Sequence, residues 1–377
     1  MNNVVQDVIY AILAIVLSGL LAFLLTPPVR VLAFKLKAID IPKDERRMHK
    51  KPTPRIGGLS IFLAFTTTVL LFCDIDTKIV GFLVGGAVIA LIGVLDDIFR
   101  ISAIVKLIGQ IAASLIPVFC GVTIDRICLF GEYYEFGMFS YPITVFWIVA
   151  LTNAINLVDG LDGLACGIST ISAVSIMVFA LIEVDLAIAL IVAILVGACL
   201  GFLPYNRHPA SIFMGDTGAL FLGYSLSVIS ILGVFKVNAL ISFVTPFLIF
   251  GLPLLDTATA MLRRIMRGVS PFTPDRGHFH HKLIDLGFNQ KQAVTILYSI
   301  SVIFGISAVL FTSEKMIAAI LIIVITLIIG FLNYRILVGG KKLREQMGLR
   351  LKTVENKTEE PSENIENPAM SEQEEKK

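Results

Sequence analysis

The chain alternates long apolar runs with short polar segments. A run of about 17–25 apolar residues is long enough to cross a bilayer as a helix. Eleven such runs are predicted, at residues 5–27, 57–73, 79–95, 103–122, 142–157, 164–182, 186–203, 217–234, 238–260, 293–311 and 315–337. Strand-like alternation is not sustained enough for a barrel. The pattern therefore predicts an all-α polytopic membrane protein with about eleven transmembrane helices.

Two runs carry residues that interrupt the pattern. The pair Pro27-Pro28 predicts the end of the first helix, because proline lacks a backbone donor and its ring clashes with the preceding turn. The fourth run is the weakest of the eleven, because Lys106 and Gln110 interrupt its apolar sequence.

Composition agrees with a membrane protein. Of the 377 residues, 56% are hydrophobic and only 16% are charged, whereas a soluble domain carries about 25% charged residues. The mean hydropathy is +0.85. The net charge of +2 is too small to indicate a nucleic-acid partner. The five cysteines have no CxxC spacing, which is typical of small side chains packed in or beside helices.

The positive charges predict the orientation of the chain. Lys and Arg concentrate in the segments that follow odd-numbered runs. Loops that are rich in Lys and Arg usually face the cytoplasm. We therefore expect the N-terminus outside and the C-terminus inside. Residues 1–340 are predicted to form the integral-membrane domain, and the polar residues 341–377 a disordered cytoplasmic tail. A short external β-hairpin is predicted around Gly131.

Acidic side chains stand where several runs begin or end, all on the predicted cytoplasmic side. They are Asp96, Asp97, Asp159, Asp162, Asp216 and Asp256. Each acid taken singly is compatible with a helix cap. A cluster of them at a membrane face favours a shared cation, and the hard oxygens of Asp and Asn suit Mg²⁺, or Mn²⁺. We expect one metal ion, held by a subset of these acids.

Two further segments carry candidate anion-binding groups. The loop after the ninth run contains Arg276, His278, His280 and His281, and its chemistry is compatible with a diphosphate clamp, a zinc site or a solvated loop. The clamp is the preferred interpretation, since no cysteines complete a zinc site. In the first loop, Arg55 is either a substrate contact or part of the positive charge that orients the chain.

These motifs together resemble the polyprenyl-phosphate N-acetylhexosamine-1-phosphate transferases, and most closely the bacterial branch that uses undecaprenyl phosphate. The matching segments follow the family's order over about residues 40–290. They are Pro52-Thr-Pro54-Arg55-Ile-Gly57-Gly58, Leu95-Asp96-Asp97, Asn153-Ala-Ile-Asn156-Leu-Val-Asp159-Gly160-Leu-Asp162-Gly163, Asn206 with Phe213-Met-Gly-Asp216-Thr217-Gly218, and Arg276-Gly277-His278-Phe279-His280-His281.

The resemblance implies a cytoplasmic active site in the cell membrane that transfers N-acetylglucosamine 1-phosphate from UDP-N-acetylglucosamine to undecaprenyl phosphate. The product would initiate a cell-surface polymer such as teichoic acid. The implied roles are Mg²⁺ ligation by Asp216 with Asn156, catalysis near the lipid phosphate by Asp96 and Asp97, and substrate binding by Asn153, Asp159, Asp162, Asn206, Phe213, Arg55, Arg276, His278, His280 and His281.

Several alternatives stay open from the sequence. Direct attack by the lipid phosphate is preferred over a covalent phospho-aspartate, because a phosphate monoester is already largely ionised at neutral pH. Within the family, a phospho-N-acetylmuramoyl-pentapeptide transferase or a transferase of another N-acetylhexosamine is the nearest alternative. A secondary transporter is disfavoured, since transporter sites usually lie near the bilayer midplane. A homodimer is neither indicated nor excluded.

Overall fold

The computed structural model describes residues 2–41, 52–129, 132–236, 240–270, 277–312 and 315–324. In these residues the helices are α1 Asn2–Lys35, α2 Gly58–Phe72, α3 Thr77–Phe99, α4 Ala103–Phe119, α5 Ser140–Val158, α6 Leu164–Ile182, α7 Leu186–Asn206, α8 Gly215–Gly233, α9 Leu240–Ile249, α10 Gly251–Met266, α11 Phe279–Asp285 and α12 Gln290–Thr312. Residues 316–324 are also helical. Most of the eleventh predicted run and the predicted tail, 341–377, lie outside the described residues.

The described helices make this a multi-pass membrane protein. Seven of them are long and apolar enough to cross a membrane, namely α1, α3, α5, α6, α7, α8 and α12. The apolar helices α2 and α4 are shorter. These nine helices coincide with nine of the eleven predicted runs, so helix position follows from apolar length, while the total of eleven spans stays a prediction.

The first helix does not end at its two prolines. Helix α1 continues through Pro27 and Pro28 to Lys35, so the predicted break is wrong. Thr26, in the turn just before them, donates its hydroxyl to Ala22 O at 2.6 Å, and the same oxygen lies 3.0 Å from Ser60 Oγ of α2. This contact joins α1 to α2 at the level of the prolines, and packing against a neighbouring helix lets a membrane helix continue through proline.

The ninth predicted run is two helices and not one. Helix α9 ends at Ile249 and α10 begins at Gly251. The cause is Pro253, whose ring excludes the normal helical bond to the carbonyl four residues earlier, at Ile249. That carbonyl instead accepts the hydroxyl of Ser172 on α6 at 3.2 Å. The break separates the apolar α9 from α10, which carries Asp256.

Two small antiparallel sheets accompany the helices. Strand β1, Ile39–Asp40, pairs with β2, Thr53–Pro54, so that Ile39 lies opposite Pro54. Strand β3, Arg126–Leu129, pairs with β4, Glu132–Glu135, in register from Arg126–Glu135 to Leu129–Glu132. The second sheet stands where the sequence predicts a hairpin; its position outside the membrane stays a prediction.

Helix α8 forms the centre of the bundle. Its residues are buried from Thr217 to Gly233 on every side, as expected of a helix without a polar face. It packs against α2, α3, α5 and α6. Helices α3 and α5 end beside the first turn of α8, and helix α4 begins there. The polar residues of these helices therefore meet at one end of the bundle.

Candidate active site

Two carboxylates share one ammonium group at the start of α8. Lys106 Nζ, on α4, donates to Asp96 Oδ2 of α3 at 2.6 Å and to Asp216 Oδ2 of α8. All three side chains are largely buried yet keep between 11% and 18% exposure, so the group remains open to solvent. With two carboxylates facing one ammonium group, the cluster keeps one net negative charge, which favours a further cation beside it.

Asp97 holds the first turn of α8. Its Oδ1 accepts the main-chain N–H of Asp216 at 3.1 Å, and its Oδ2 accepts the N–H and the hydroxyl of Thr217 at 3.0 and 2.8 Å. Arg55 Nε lies 3.5 Å from Oδ1, and the side chain of Asp97 is fully buried. Asp97 therefore caps α8 from a different helix, and all four of these donors point at it.

Gly215 makes this cap possible. Its φ of +69° lies in the left-handed region, which costs glycine little and other residues more. A Cβ at this position would overlap Arg55 O and Asp97 Oδ2. The glycine before Asp216 is therefore needed both for the turn and for the close approach of the first loop.

The polar residues of α4 form one stripe. Gln110 lies one turn after Lys106 and is buried. It exchanges hydrogen bonds with Asn153 of α5, with Asn153 Nδ2 donating to Gln110 Oε1 at 2.6 Å and Gln110 Nε2 donating to Asn153 Oδ1 at 3.4 Å. Asn156 lies one turn further along α5 and is partly exposed. The stripe connects the asparagines of α5 with the Lys106 group.

The predicted nucleotide-binding residues lie in the loops around this group. Phe213 is fixed by its main chain, which donates to Pro54 O at 2.8 Å and accepts from Gly57 N at 3.0 Å, while its ring is partly exposed. Asn206 is buried and donates to Ile212 O at 3.2 Å. Within the described residues its Oδ1 has no hydrogen-bond partner, which is unusual for a buried acceptor and favours a ligand.

Asp159 and Asp162 differ in what surrounds them. Asp162 Oδ2 accepts from His208 Nδ1 at 2.8 Å and from Ala210 N at 3.2 Å, so this acid braces the loop that follows α7. Asp159 is partly exposed. Burial, together with the negative charges of Asp216 and Asp97, raises the pKa of Asp159 to about 8. Asp159 is therefore suited to carry a proton at neutral pH.

The histidine loop packs against the turn that contains Asp159. A Cβ at Gly160 would overlap the ring of His280, so the two segments touch. His280 is 4% exposed, and burial, with the neighbouring His281, lowers the pKa of His280 to about 4. His281 is partly exposed, whereas His278 is buried. The predicted contact residue Arg276 lies outside the described residues.

The structure adds residues that the sequence did not single out as functional. Lys106 and Gln110 were visible only as polar interruptions of a weak apolar run, and their helical spacing of four was the signal that both face one side. His208 gave no signal beyond its residue type. In the described residues, no group of three or more His, Cys, Asp or Glu side chains forms a metal-ligand set.

Comparison with known proteins agrees with these motifs. The model of glycosyl transferase family 4 matches residues 79–234. A probable undecaprenyl-phosphate N-acetylglucosaminyl 1-phosphate transferase of Bacillus subtilis strain 168 is 40% identical over 326 residues, which are 86% of this chain and 91% of the relative. A decaprenyl-phosphate N-acetylglucosaminephosphotransferase of Mycobacterium tuberculosis H37Rv is 35% identical, covering 81% of this chain and 84% of the relative.

A phospho-N-acetylmuramoyl-pentapeptide-transferase of Desulfitobacterium hafniense is 31% identical over 336 residues, which are 80% of this chain and 96% of the relative. Each of these alignments covers most of this chain and most of the relative. The chain thus belongs to glycosyl transferase family 4, the polyprenyl-phosphate N-acetylhexosamine-1-phosphate transferases.

Proposed function

We propose that the protein transfers N-acetylglucosamine 1-phosphate from UDP-N-acetylglucosamine to undecaprenyl phosphate at the cytoplasmic face of the cell membrane. The products are UMP and undecaprenyl-diphospho-N-acetylglucosamine. The observation that carries this proposal is the ammonium group of Lys106 between Asp96 and Asp216, at the end of an apolar bundle where a lipid phosphate and a soluble nucleotide can meet. The name of the Bacillus relative supplies the lipid acceptor and the transferred group, and UDP-N-acetylglucosamine is the donor that such a reaction implies.

The donor set fits one Mg²⁺ ion. Mg²⁺ typically takes one or two protein carboxylates and completes its shell with water and substrate phosphates, so it needs no dedicated cage. Asp216 and Asn156 are the residues that would hold it. The Lys106 ammonium beside Asp216 supports a cation-binding role for this carboxylate. When bound, the ion would neutralise charge on the diphosphate and fix its orientation.

The reaction is a displacement at the β-phosphorus of the nucleotide sugar. An oxygen of the lipid phosphate forms a bond to that phosphorus, the bond to the bridging oxygen breaks, and UMP leaves with the electron pair. Lys106 stabilises the negative charge that gathers on the transferred phosphoryl group. Asp96 is better placed than Asp97 to take a remaining proton from the lipid phosphate, because the oxygens of Asp97 already accept from Asp216 N and Thr217.

The other predicted residues bind substrate in this proposal. Asn206, Phe213 and Asp159 line the uridine side of the pocket, with the orphaned Oδ1 of Asn206 as an acceptor for the nucleotide. Arg55 and His281 contact the phosphates or the sugar of the nucleotide sugar. Asp162 acts through the loop that contains His208.

The test is release of UMP by purified protein supplied with undecaprenyl phosphate, Mg²⁺ and a panel of UDP-sugars. We expect UDP-N-acetylglucosamine to be preferred. Preference for UDP-N-acetylmuramoyl-pentapeptide would establish the second candidate, which the relative from Desulfitobacterium favours. The control is Asp216→Asn, for which we expect near-total loss of turnover in protein that is still inserted. Substantial turnover by this variant would reject the assignment of Asp216.

Two further measurements separate the details of the mechanism. Removal of divalent ions by a chelator should abolish UMP release, and Mg²⁺ or Mn²⁺ should restore it. Isotope exchange between UMP and the UDP-sugar, measured with the lipid acceptor rigorously removed, should be absent if the lipid phosphate attacks directly. Exchange at a rate similar to turnover would establish a covalent intermediate instead.

A further inference from the structure

Asp256 is a buried acid that the proposed mechanism does not use. It lies on α10 and is 3% exposed. One carboxylate oxygen, Oδ2, is 2.9 Å from His278 Nδ1, and the other, Oδ1, accepts the main-chain N–H of Phe279 at 2.9 Å. Both oxygens therefore hold the start of the histidine loop.

Each of these two bonds has a separate consequence. The bond to Phe279 caps α11 from another helix, since the residue at the N-cap position, His278, makes no side-chain cap of its own. The bond to His278 selects a tautomer. A carboxylate can only accept, so the hydrogen of a neutral His278 ring must be on Nδ1, which leaves Nε2 as an acceptor.

The orientation of His278 extends to its neighbours. The rings of His278 and His280 are nearly parallel, 11° apart with centroids 5.8 Å apart. The ring centroids of His280 and His281 are 4.2 Å apart. The ring of His280 in turn rests on Gly160, next to Asp159. We call His278, His280 and His281 the histidine column. One end of it is bonded to Asp256, and its middle member contacts the Asp159 turn.

We propose that Asp256 is a positioning residue of the transferase site, which fixes His278 as the Nδ1–H tautomer and sets the histidine column against Gly160. His281, the partly exposed member, is then held in one orientation against the His280 ring. This inference rests on the proposed function only in the identity of the substrate. The tautomer and the packing belong to the protein without substrate.

The first variant is Asp256→Asn in the full-length protein. Asparagine keeps an oxygen for Phe279 N, but it turns an NH₂ group towards His278 Nδ1, so Nδ1 must become the acceptor and the hydrogen must move to Nε2. We expect this change in the ¹⁵N spectrum of histidine-labelled protein, where His278→Gln identifies the signal. Turnover should fall about 10–100-fold, by analogy with the groups that orient metal-bound histidines. The KM for UDP-N-acetylglucosamine should change less than threefold.

The matched control is Asp185→Asn. Asp185 also caps a helix with its carboxylate, accepting from Ile188 N at 3.1 Å at the start of α7. It lies at the other end of that helix from Asn206. We expect wild-type turnover from this control. Wild-type turnover by Asp256→Asn, or an unchanged His278 tautomer in that variant, would overturn the proposal.

A double-mutant comparison distinguishes positioning from general loss of structure. If Asp256 acts through His278, the double variant Asp256→Asn/His278→Gln should be no less active than His278→Gln alone. Losses that multiply in the double variant would overturn the proposal, even if the first variant folds poorly. Failure of the wild-type protein to release UMP from any UDP-sugar would reject the proposed function, while the tautomer measurement would still stand.

Discussion

Asp97→Asn should destabilise the bundle more than the same change at its neighbour Asp96. Asp97 accepts from Asp216 N, from the N–H and hydroxyl of Thr217, and from Arg55. Asparagine offers one oxygen, so if it keeps the two bonds to Thr217, two of the four donors lose their acceptor. A hydrogen bond to a charged group contributes about 1.5–3 kcal/mol. With Arg55 able to reach water, the expected loss is about 3 kcal/mol of unfolding free energy.

Asp96→Asn is the matched comparison, because it makes the same change one residue earlier. Asp96 accepts from Lys106, and that ammonium group keeps its second partner, Asp216, in the variant. The expected loss of stability is about 1 kcal/mol or less. Turnover should fall in both variants. Asp97→Asn should displace Asp216, whereas Asp96→Asn should remove a carboxylate from the proposed phosphate site.

Unfolding can be followed with the protein's own fluorescence. Trp147 is the chain's one tryptophan, and it is 6% exposed. It is packed against Phe235, Phe247 and Phe250. Unfolding midpoints in detergent should rank wild type, then Asp96→Asn, then Asp97→Asn. Equal midpoints for the two variants, or full turnover by Asp97→Asn, would refute the assignment of Asp97 as a cap of α8.

Other variants test the remaining contacts of the site. Lys106→Met should lower turnover about 10²–10³-fold, as for loss of one preorganised charge-stabilising group, and retained activity in the UMP-release assay would contradict its role. Gly160→Ala should lose activity, because its Cβ overlaps His280, whereas Gly86→Ala, whose Cβ would make ordinary contacts at 3.4 Å, should not. The pKa of His280 is lowered from 6.5 to about 4 in the folded protein, so the folded state favours the neutral ring. About 3 kcal/mol of unfolding free energy should therefore be lost as the pH falls from 6.5 to about 4. His280→Asn should flatten this pH dependence of the unfolding midpoint, and parallel curves would contradict it.

The sequence predicts helix positions well because apolar length is a property of one segment. It does not predict where a run breaks, since that depends on contacts with helices that are distant in sequence. Pro27 and Pro253 look alike in the sequence, yet α1 continues and the ninth run divides. At Ile249 the freed carbonyl is satisfied by Ser172 of a helix distant in sequence, and no local pattern contains that information.

The candidate site was predictable in its residue types and not in its pairings. The acids were recognisable because charge is costly at a membrane face. In the sequence Lys106 only interrupts the fourth apolar run, because the benefit of its charge appears only when α3 and α8 bring Asp96 and Asp216 to it. The same limit applies to Asp256, whose partner His278 is 22 residues away in sequence.

The structure confirms the helix-cap interpretation for some of the acids, while the functional interpretation of the others stays a prediction. Asp97, Asp162 and Asp256 each accept a main-chain N–H from another segment and a side-chain donor as well. Their charges are thus compensated by the protein itself. The carboxylates that remain beside a cation are Asp96 and Asp216, where Lys106 already supplies one positive charge. Since two negative charges meet one positive charge there, and the substrates bring further negative charge, a single divalent ion is the complement that we expect this site to need.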